Sequence, residues 1–389
     1  MRVHFTRYRA KVTLRVVPWR RNMRNPVHNL FPLLGVLVFV GICHAAPQIA
    51  PTLDAELDGT NSVVYCPTLE IAWDGLEGIV GGPIQMQKQN ELVKKLNDAS
   101  CPTGVVPEQA HVAMAGYADQ GIVPKLEEAL RKKFGATAPE LPAVLSDKRT
   151  VIVTYSYLSR TLPFPKKFAR SRKLPLDFRN GKDTHPVHFF GAPQRTADEF
   201  ASQVEILHYS GENDFVVHLS SRVKDEFIVL AKTSQPKTLS AGVETIRKHL
   251  KSERKGFTEL EVNGRKQFYM NTLAQGDLLA IPVVNLAVAT NFPELCDRMF
   301  KNNGFEQIWL HRVYQDVEFK MDETGATVRS TAYGADFGGS SKPRRFVFDK
   351  PFLLTLWKKK AKQPYLAVWI ASPDVLIPFK QEEKGGTTR

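Results

Sequence analysis

Only four cysteines occur among the 389 residues, and no two are spaced as C-x-x-C. That excludes a zinc ribbon and a dense disulfide framework. The chain also has no G-x-S-x-G elbow, no H-E-x-x-H pair, no Walker loop and no G-x-G-x-x-G. The signatures of common hydrolases, zinc proteases and nucleotide-binding folds are therefore missing, so the sequence offers neither an enzyme nor a cofactor or metal site. There is no internal repeat, collagen-like tract or heptad run. The longest apolar stretch, Leu30 to Cys43, is shorter than the ~20 residues a spanning helix needs.

Acidic residues are absent before Asp54, whereas Arg2, Arg7, Arg9, Lys11, Arg15, Arg20, Arg21 and Arg24 all precede it. The formal net charge is +13, and removing these eight cations leaves 13 − 8 = +5. Most of the excess thus belongs to a basic leader, which argues against a nucleic-acid surface. A basic stretch, a short apolar core and the small residues Cys43 and Ala45 read as a signal peptide over residues 1–45, with a mature start at Ala46. The expected destination is secreted, extracellular or periplasmic. An uncleaved anchor is the alternative; lipidation at Cys43 fits poorly with Gly41-Ile42 before it.

The remaining Cys66, Cys101 and Cys296 read as buried free thiols, with a Cys66–Cys101 bridge as the alternative in an oxidising compartment. At this length the chain can bury a large core without disulfides. Hydrophobic residues at 43% and charged residues at 24% are ordinary for a globular protein.

The pattern predicts a strand over Ser62–Tyr65, a helix from Pro67 through Leu76, and amphipathic helices over Gln85–Leu96, Lys125–Phe134 and Leu239–Leu250. Strands are expected over Arg149–Leu158, Gln203–His208, Asp214–Leu219, Leu278–Ala289 and Gln307–Met321. Strands and helices in no regular βαβ order, with no linker between them, indicate one α+β domain.

Three groups invite a site and have plainer readings. His185 and His188 flank Pro186, which opposes a shared helical face, so an exposed or half-buried strand is expected. Asp198 and Glu199 read as solvated surface. Lys166, Lys167, Arg170, Arg172 and Lys173 are the densest basic run of the mature chain; they read as a solvated loop, with a polyanionic glycan as the ligand they could take. Lys358-Lys359-Lys360 reads as a charged hairpin turn.

The last fifth of the chain is the most specific. In Val317 to Gly325 (VEFKMDETG) Val317, Phe319 and Met321 alternate with charged residues, as in a half-buried strand. Ala326 to Ser341 (ATVRSTAYGADFGGSS) has no hydrophobic stripe and reads as exposed. Phe346–Trp357 and Tyr365–Pro373 follow as apolar strands, expected to pair as a hairpin. This order resembles the end of a serpin: Glu323 and Gly325 match the family's hinge, and Phe346, Pro351 and Phe352 match the strand after its reactive loop. Val63-Val-Tyr-Cys-Pro67, Asn90–Asn97 and Leu278–Val288 match further landmarks, so that the resemblance covers Asn61 to Pro373. The chain departs from the family at Cys66 and Leu69, where serines are usual, at Arg160 in place of a tryptophan, and at Val368 in place of a glycine.

The resemblance implies a divergent, bacterial-type serpin: an α+β domain over 46–373 with a large central sheet, two smaller sheets, surrounding helices and a reactive loop at about 326–345. Residues 374–389 form a tail. Its partner would be a serine or cysteine protease, cutting near Gly339-Ser340, and the chain would be a monomer. After the cut, the loop enters the central sheet as a strand. Because strand side chains alternate, one row must be buried. Ala326, Val328, Ser330, Ala332 and Gly334 are uncharged and suit that row; Thr327, Arg329, Thr331 and Tyr333 would face the surface. The other reading is a secreted binding protein that keeps the scaffold without inhibiting, and a hydrolase is a distant third.

Overall fold

The computed structural model describes residues 46–380 apart from 89, 100, 146–148, 253–256, 263–264 and 327–341. Its β-branched and aromatic runs form three principal sheets. The largest has seven strands, in the order Gln48–Ala50, Val63–Tyr65, Leu366–Ile370, Phe352–Lys358, Glu226–Lys232, Asp214–Ser220 and Val204–Gly211. Both of its faces are covered. Leu354 and Leu356 enter the main core, while Leu353 and Trp357 pack with Leu239, Val243 and Ile246 of the helix Leu239–Lys251. That is why these strands read as unbroken apolar runs.

The central sheet takes the order Val284–Asn291, Trp309–Met321, Val151–Thr161 and His111–Tyr117, with the short Arg298–Met299 paired to Leu310 and Trp309 at the start of Trp309–Met321. Val313, Val317 and Phe319 alternate inward with no more than 1% exposure, which satisfies the period-two reading of that strand. The helix Ile122–Phe134 roofs the other face, where Leu126 and Leu130 pack with Tyr155 and Tyr157. The third sheet orders Arg345–Val347, Leu278–Pro282, Phe189–Ala192 and Ala169–Arg170. Gly191 is required there: a Cβ would lie 1.9 Å from the carbonyl oxygen of Leu279.

The helix after Pro67 spans Thr68–Val80 and buries Leu69, Ala72, Trp73, Leu76 and Val80. It stops at Gly81, whose φ of 79° is the left-handed turn that glycine makes without strain.

Several expected elements are divided or shortened. The helix expected over Gln85–Leu96 spans Glu91–Asp98, because Asn90 caps it through a bond from the Val93 amide, and Met86 instead bridges to Phe300. Leu278–Ala289 breaks at Val283, with one half in the third sheet and the other in the central sheet. The Phe346–Trp357 run breaks likewise: Arg345–Val347 pairs with Leu278–Ala280, and only Phe352–Lys358 forms the hairpin with Leu366–Ile370. Lys360 turns between those two strands with φ 68°. Cys66, Cys101 and Cys296 are free and buried, so no Cys66–Cys101 bridge is present.

Candidate functional site

Two anchors flank residues 327–341, which include Val328, Ser330, Ala332, Gly339 and Ser340 and lie outside the described residues. At the first anchor, Trp309–Met321 gives way to a tight turn in which the Asp322 carboxylate accepts from the Thr324 amide at 2.8 Å. The Glu323 carboxylate meets the Arg170 guanidinium at 3.0 Å, and the Glu323 carbonyl accepts from the Phe168 amide at 3.1 Å. Gly325–Ala326 then runs parallel to Phe164–Lys166. At Gly325–Ala326 the chain thus pairs with Phe164–Lys166 and not with a strand of the central sheet.

At the second anchor Arg344 is 2% exposed. Its guanidinium pairs with Asp277 at 2.6 Å and donates to the carbonyls of Met270 at 2.8 Å and Thr272 at 2.7 Å. Arg345–Val347 follows as an edge strand of the third sheet.

The strand that leads to the first anchor borders a seam in the central sheet. Trp309–Met321 is antiparallel to Val284–Asn291, and Val151–Thr161 is antiparallel to His111–Tyr117, yet the two middle strands run parallel to each other. Parallel pairing is the less stable kind per residue. The inner face of this seam is also under-satisfied. Gln315 stands opposite Ser156 and Val313 opposite Thr154; Gln315 Oε1, Ser156 Oγ and Thr154 Oγ1 are buried with no hydrogen-bond partner. Such groups cost free energy that a fully paired sheet does not lose.

Each middle strand is pinned from beneath. Gln315 Nε2 donates to the Cys66 carbonyl at 2.8 Å and to Thr68 Oγ1 at 2.9 Å. Arg160 Nε donates to Glu226 Oε2 at 2.9 Å, its Nη2 meets Glu226 Oε1, and Tyr365 Oη donates to Glu226 Oε2 at 2.7 Å. This second pin ties Val151–Thr161 to the seven-stranded sheet with a buried charge pair.

No family model matches the sequence, and no curated protein matches it. Among solved structures, the chain is similar to maspin over 80% of this chain and 92% of that one, with 13% identity and a TM-score of 0.50. The fold is serpin-like. Human glycosylated kallistatin aligns over 81% of this chain and 92% of its own at 13% identity and a TM-score of 0.49. A tumour suppressing serpin aligns over 80% and 93% at 13% identity and a TM-score of 0.48.

Within the serpin-like frame, the structure brings together residues the sequence left apart. Glu323 meets Arg170, so one cation of the basic run ties down the turn after Trp309–Met321. Lys166 meets Glu199 at 2.6 Å, and the Glu199 side chain stays 39% exposed, in keeping with its reading as solvated surface. Of the five cations, Lys166 and Arg170 thus have carboxylate partners, and Arg170 and Lys166 lie in short strands rather than in a solvated loop. His185 lies in the strand Asp183–Val187, as the proline between the histidines required.

Arg160 stands where the resemblance puts a tryptophan, and its partner Glu226 was invisible in the sequence because 66 residues separate them. The outer face near Asp316 is not open surface either. Tyr155 and Tyr157 on the neighbouring strand are fully buried there beneath the helix Ile122–Phe134, so a strand inserted at the seam would not keep its outer row fully in water.

Proposed function

We propose that the protein is a secreted inhibitor of serine or cysteine proteases, acting through cleavage of its loop and insertion of that loop into the central sheet. The parallel seam carries this reading. A segment folding back from Met321 is necessarily antiparallel to Trp309–Met321, and so also to Val151–Thr161. It replaces one parallel junction with two antiparallel ones and adds a strand's worth of hydrogen bonds. Ala326 to Ala335, at ~3.3 Å per residue, spans ~33 Å, the reach of the eleven register pairs between the two middle strands.

In this reading the protease hydroxyl or thiol attacks the carbonyl carbon of Gly339. The bond to Ser340 breaks, the amine leaves with a proton, and Gly339 stays on the protease as an ester or thioester. Insertion before hydrolysis carries the protease away with it. Glu323, Gly325, Ala326, Val328, Ser330 and Ala332 serve as the hinge. The basic leader before Ala46 supports export, and the departures at Cys66, Leu69, Arg160 and Val368 support a divergent member of bacterial type. Lys167, Arg172 and Lys173 remain as the cations a polyanionic glycan could meet.

One observation favours the second reading, a noninhibitory scaffold: the Arg160–Glu226 pair pins a seam strand that insertion must displace. The two readings separate in one experiment. Cutting the loop should raise Tm by on the order of tens of degrees, and a protease panel should yield an SDS-stable complex. Val328→Arg puts an unpaired charge on the buried row and should turn the inhibitor into a substrate. Equal Tm for cut and uncut chains, with no covalent complex, selects the scaffold.

A further inference from the structure

Formal charge is not spread evenly over residues 46–389. Their net is +5, and two neighbouring turns account for all of it. Residues 221–225 and 358–364 hold Arg222, Lys224, Lys358, Lys359, Lys360 and Lys362 against Asp225 alone, 6 − 1 = +5. Everything else after residue 45, the run from Lys166 to Lys173 included, sums to zero.

The fold puts the two turns side by side. Asp214–Ser220 and Glu226–Lys232 form one hairpin, Phe352–Lys358 and Leu366–Ile370 the next, and Glu226 stands opposite Lys358 where the hairpins meet. Both turns therefore leave the seven-stranded sheet at the same end. The Lys359 amide donates to the Asp225 carbonyl at 2.6 Å, which ties one turn to the other. The first turn is held further by the Arg222 amide on the Pro163 carbonyl at 2.9 Å and by the Val223 amide on Ser221 Oγ at 3.0 Å. Four adjacent strand ends at ~4.8 Å spacing make a row ~14 Å wide.

The cations of this row are exposed and uncommitted. Arg222, Lys224, Lys359, Lys360 and Lys362 all reach solvent, and none of these five side chains has a carboxylate partner among the described residues. The Lys358 ammonium rests on the Gly104 carbonyl at 2.9 Å. In the other basic run, by contrast, Lys166 and Arg170 pair with Glu199 and Glu323. Like charges gathered in so narrow a row repel one another, and a bound polyanion relieves that cost.

The side chains around the cations narrow the class of partner. No large apolar side chain is exposed in either turn, because Val223 and Ala361 pack against the main core. A protein interface has an apolar or aromatic centre, and single-stranded nucleic acid stacks on aromatic rings; the turns offer neither. Five of the six cations are lysines. Their ammoniums are point charges on flexible stems, suited to anionic groups spaced along a chain, whereas bidentate capture of a single phosphate or carboxylate favours arginine.

We propose that the two turns form a docking surface for a linear sulfated polysaccharide, laid across the strand ends and held by charge. The surface uses none of Lys167, Arg172 and Lys173, and it stands whether or not the loop inserts.

The test measures binding of a chondroitin sulfate dodecasaccharide to the chain from Ala46, by titration calorimetry between about 50 mM and 200 mM salt. Arg222→Gln/Lys224→Gln and Lys359→Gln/Lys362→Gln should each lower the affinity about tenfold and flatten the dependence of log K on log salt by about two ions. Lys360 is left in place because its φ of 68° makes substitution there a backbone question as well. Unchanged Tm separates lost contacts from a lost fold, and since the two pairs sit on separate turns, either variant carries the test if the other does not fold. Lys167→Gln/Arg172→Gln/Lys173→Gln should bind as the wild type does. Binding lost in that triple variant and kept in both turn variants overturns the assignment, as does no binding by the wild type at about 50 mM salt. Equal affinity for duplex DNA or for phosphatidylglycerol vesicles overturns the choice of a polysaccharide.

Discussion

At its exit the loop is fastened through Arg344, whose buried guanidinium meets Asp277 and two backbone carbonyls, whereas at its root Glu323 meets Arg170 in a pair that solvent still reaches. Side-chain exposures are 3% and 4% in the first pair, and 30% and 15% in the second. Desolvated pairs are costly to break by removing one partner, and half-exposed ones are not. One end of the loop is thus a fixed post, and the other is a joint that can give. A segment that is to swing into the central sheet needs that asymmetry: the moving end must let go of Arg170 and of Phe164–Lys166 while the far end holds.

The largest effect should come at the fixed post. Arg344→Met leaves Asp277 buried without its partner and abandons the Met270 and Thr272 carbonyls; it should lower unfolding stability by about 3–5 kcal/mol, read from denaturant titration. Loss of less than about 1 kcal/mol would erase the contrast between the two ends.

The seam pin comes next. Glu226→Gln keeps an acceptor for Tyr365 but removes the charge opposite Arg160, whose side chain is 13% exposed. A cost of about 2–3 kcal/mol is expected, with amide exchange rising first at the Arg160 and Phe319 end of the seam. Replacing both partners by apolar residues should recover much of the stability, since no charge is then left unpaired. Exchange rising equally in the seven-stranded sheet would mean that the pair serves general stability and not the seam.

How much of this was legible in the sequence depends on the kind of signal. Trp309–Met321 was readable because one face meets the main core and the other a half-polar surface, which forces period-two alternation. Glu226–Lys232 went unseen although it lies in the middle of the seven-stranded sheet: buried on both sides, EFIVLAK has no alternation to betray it. The same physics hid the breaks at Val283 and at Asp349–Pro351, since a continuous apolar run does not say where a chain passes from one sheet to another. The strand Leu176–Asn180, most of whose residues are polar, and the hairpin Phe257–Val262/Arg265–Met270, half of whose residues are, went unread. Arg160–Glu226, Arg170–Glu323 and Arg344–Asp277 could not be read from spacing at all. Each joins elements that only the tertiary fold brings together.

The smallest effect is expected at the joint, and its smallness is the informative part. Arg170→Ala removes the one side-chain tie on Glu323 seen among the described residues but leaves the Glu323 and Thr324 carbonyls bonded to the amides of Phe168 and Phe164. Because solvent reaches both charges, the loss of stability should stay below about 1 kcal/mol. The rate of change should respond more than the stability does. With the pair gone, Glu323 is free to turn about the Asp322–Gly325 bend, and conversion of the cut chain to its heat-stable form should speed up several-fold, followed by the loss of the lower-melting species over time. Adding salt should speed the wild type toward the variant and leave the variant unchanged, since screening acts only where the pair still exists. If Arg170→Ala instead cost as much as Arg344→Met, the hinge would be a second fixed post, and a loop held that firmly at both ends would have no way to begin moving into the seam.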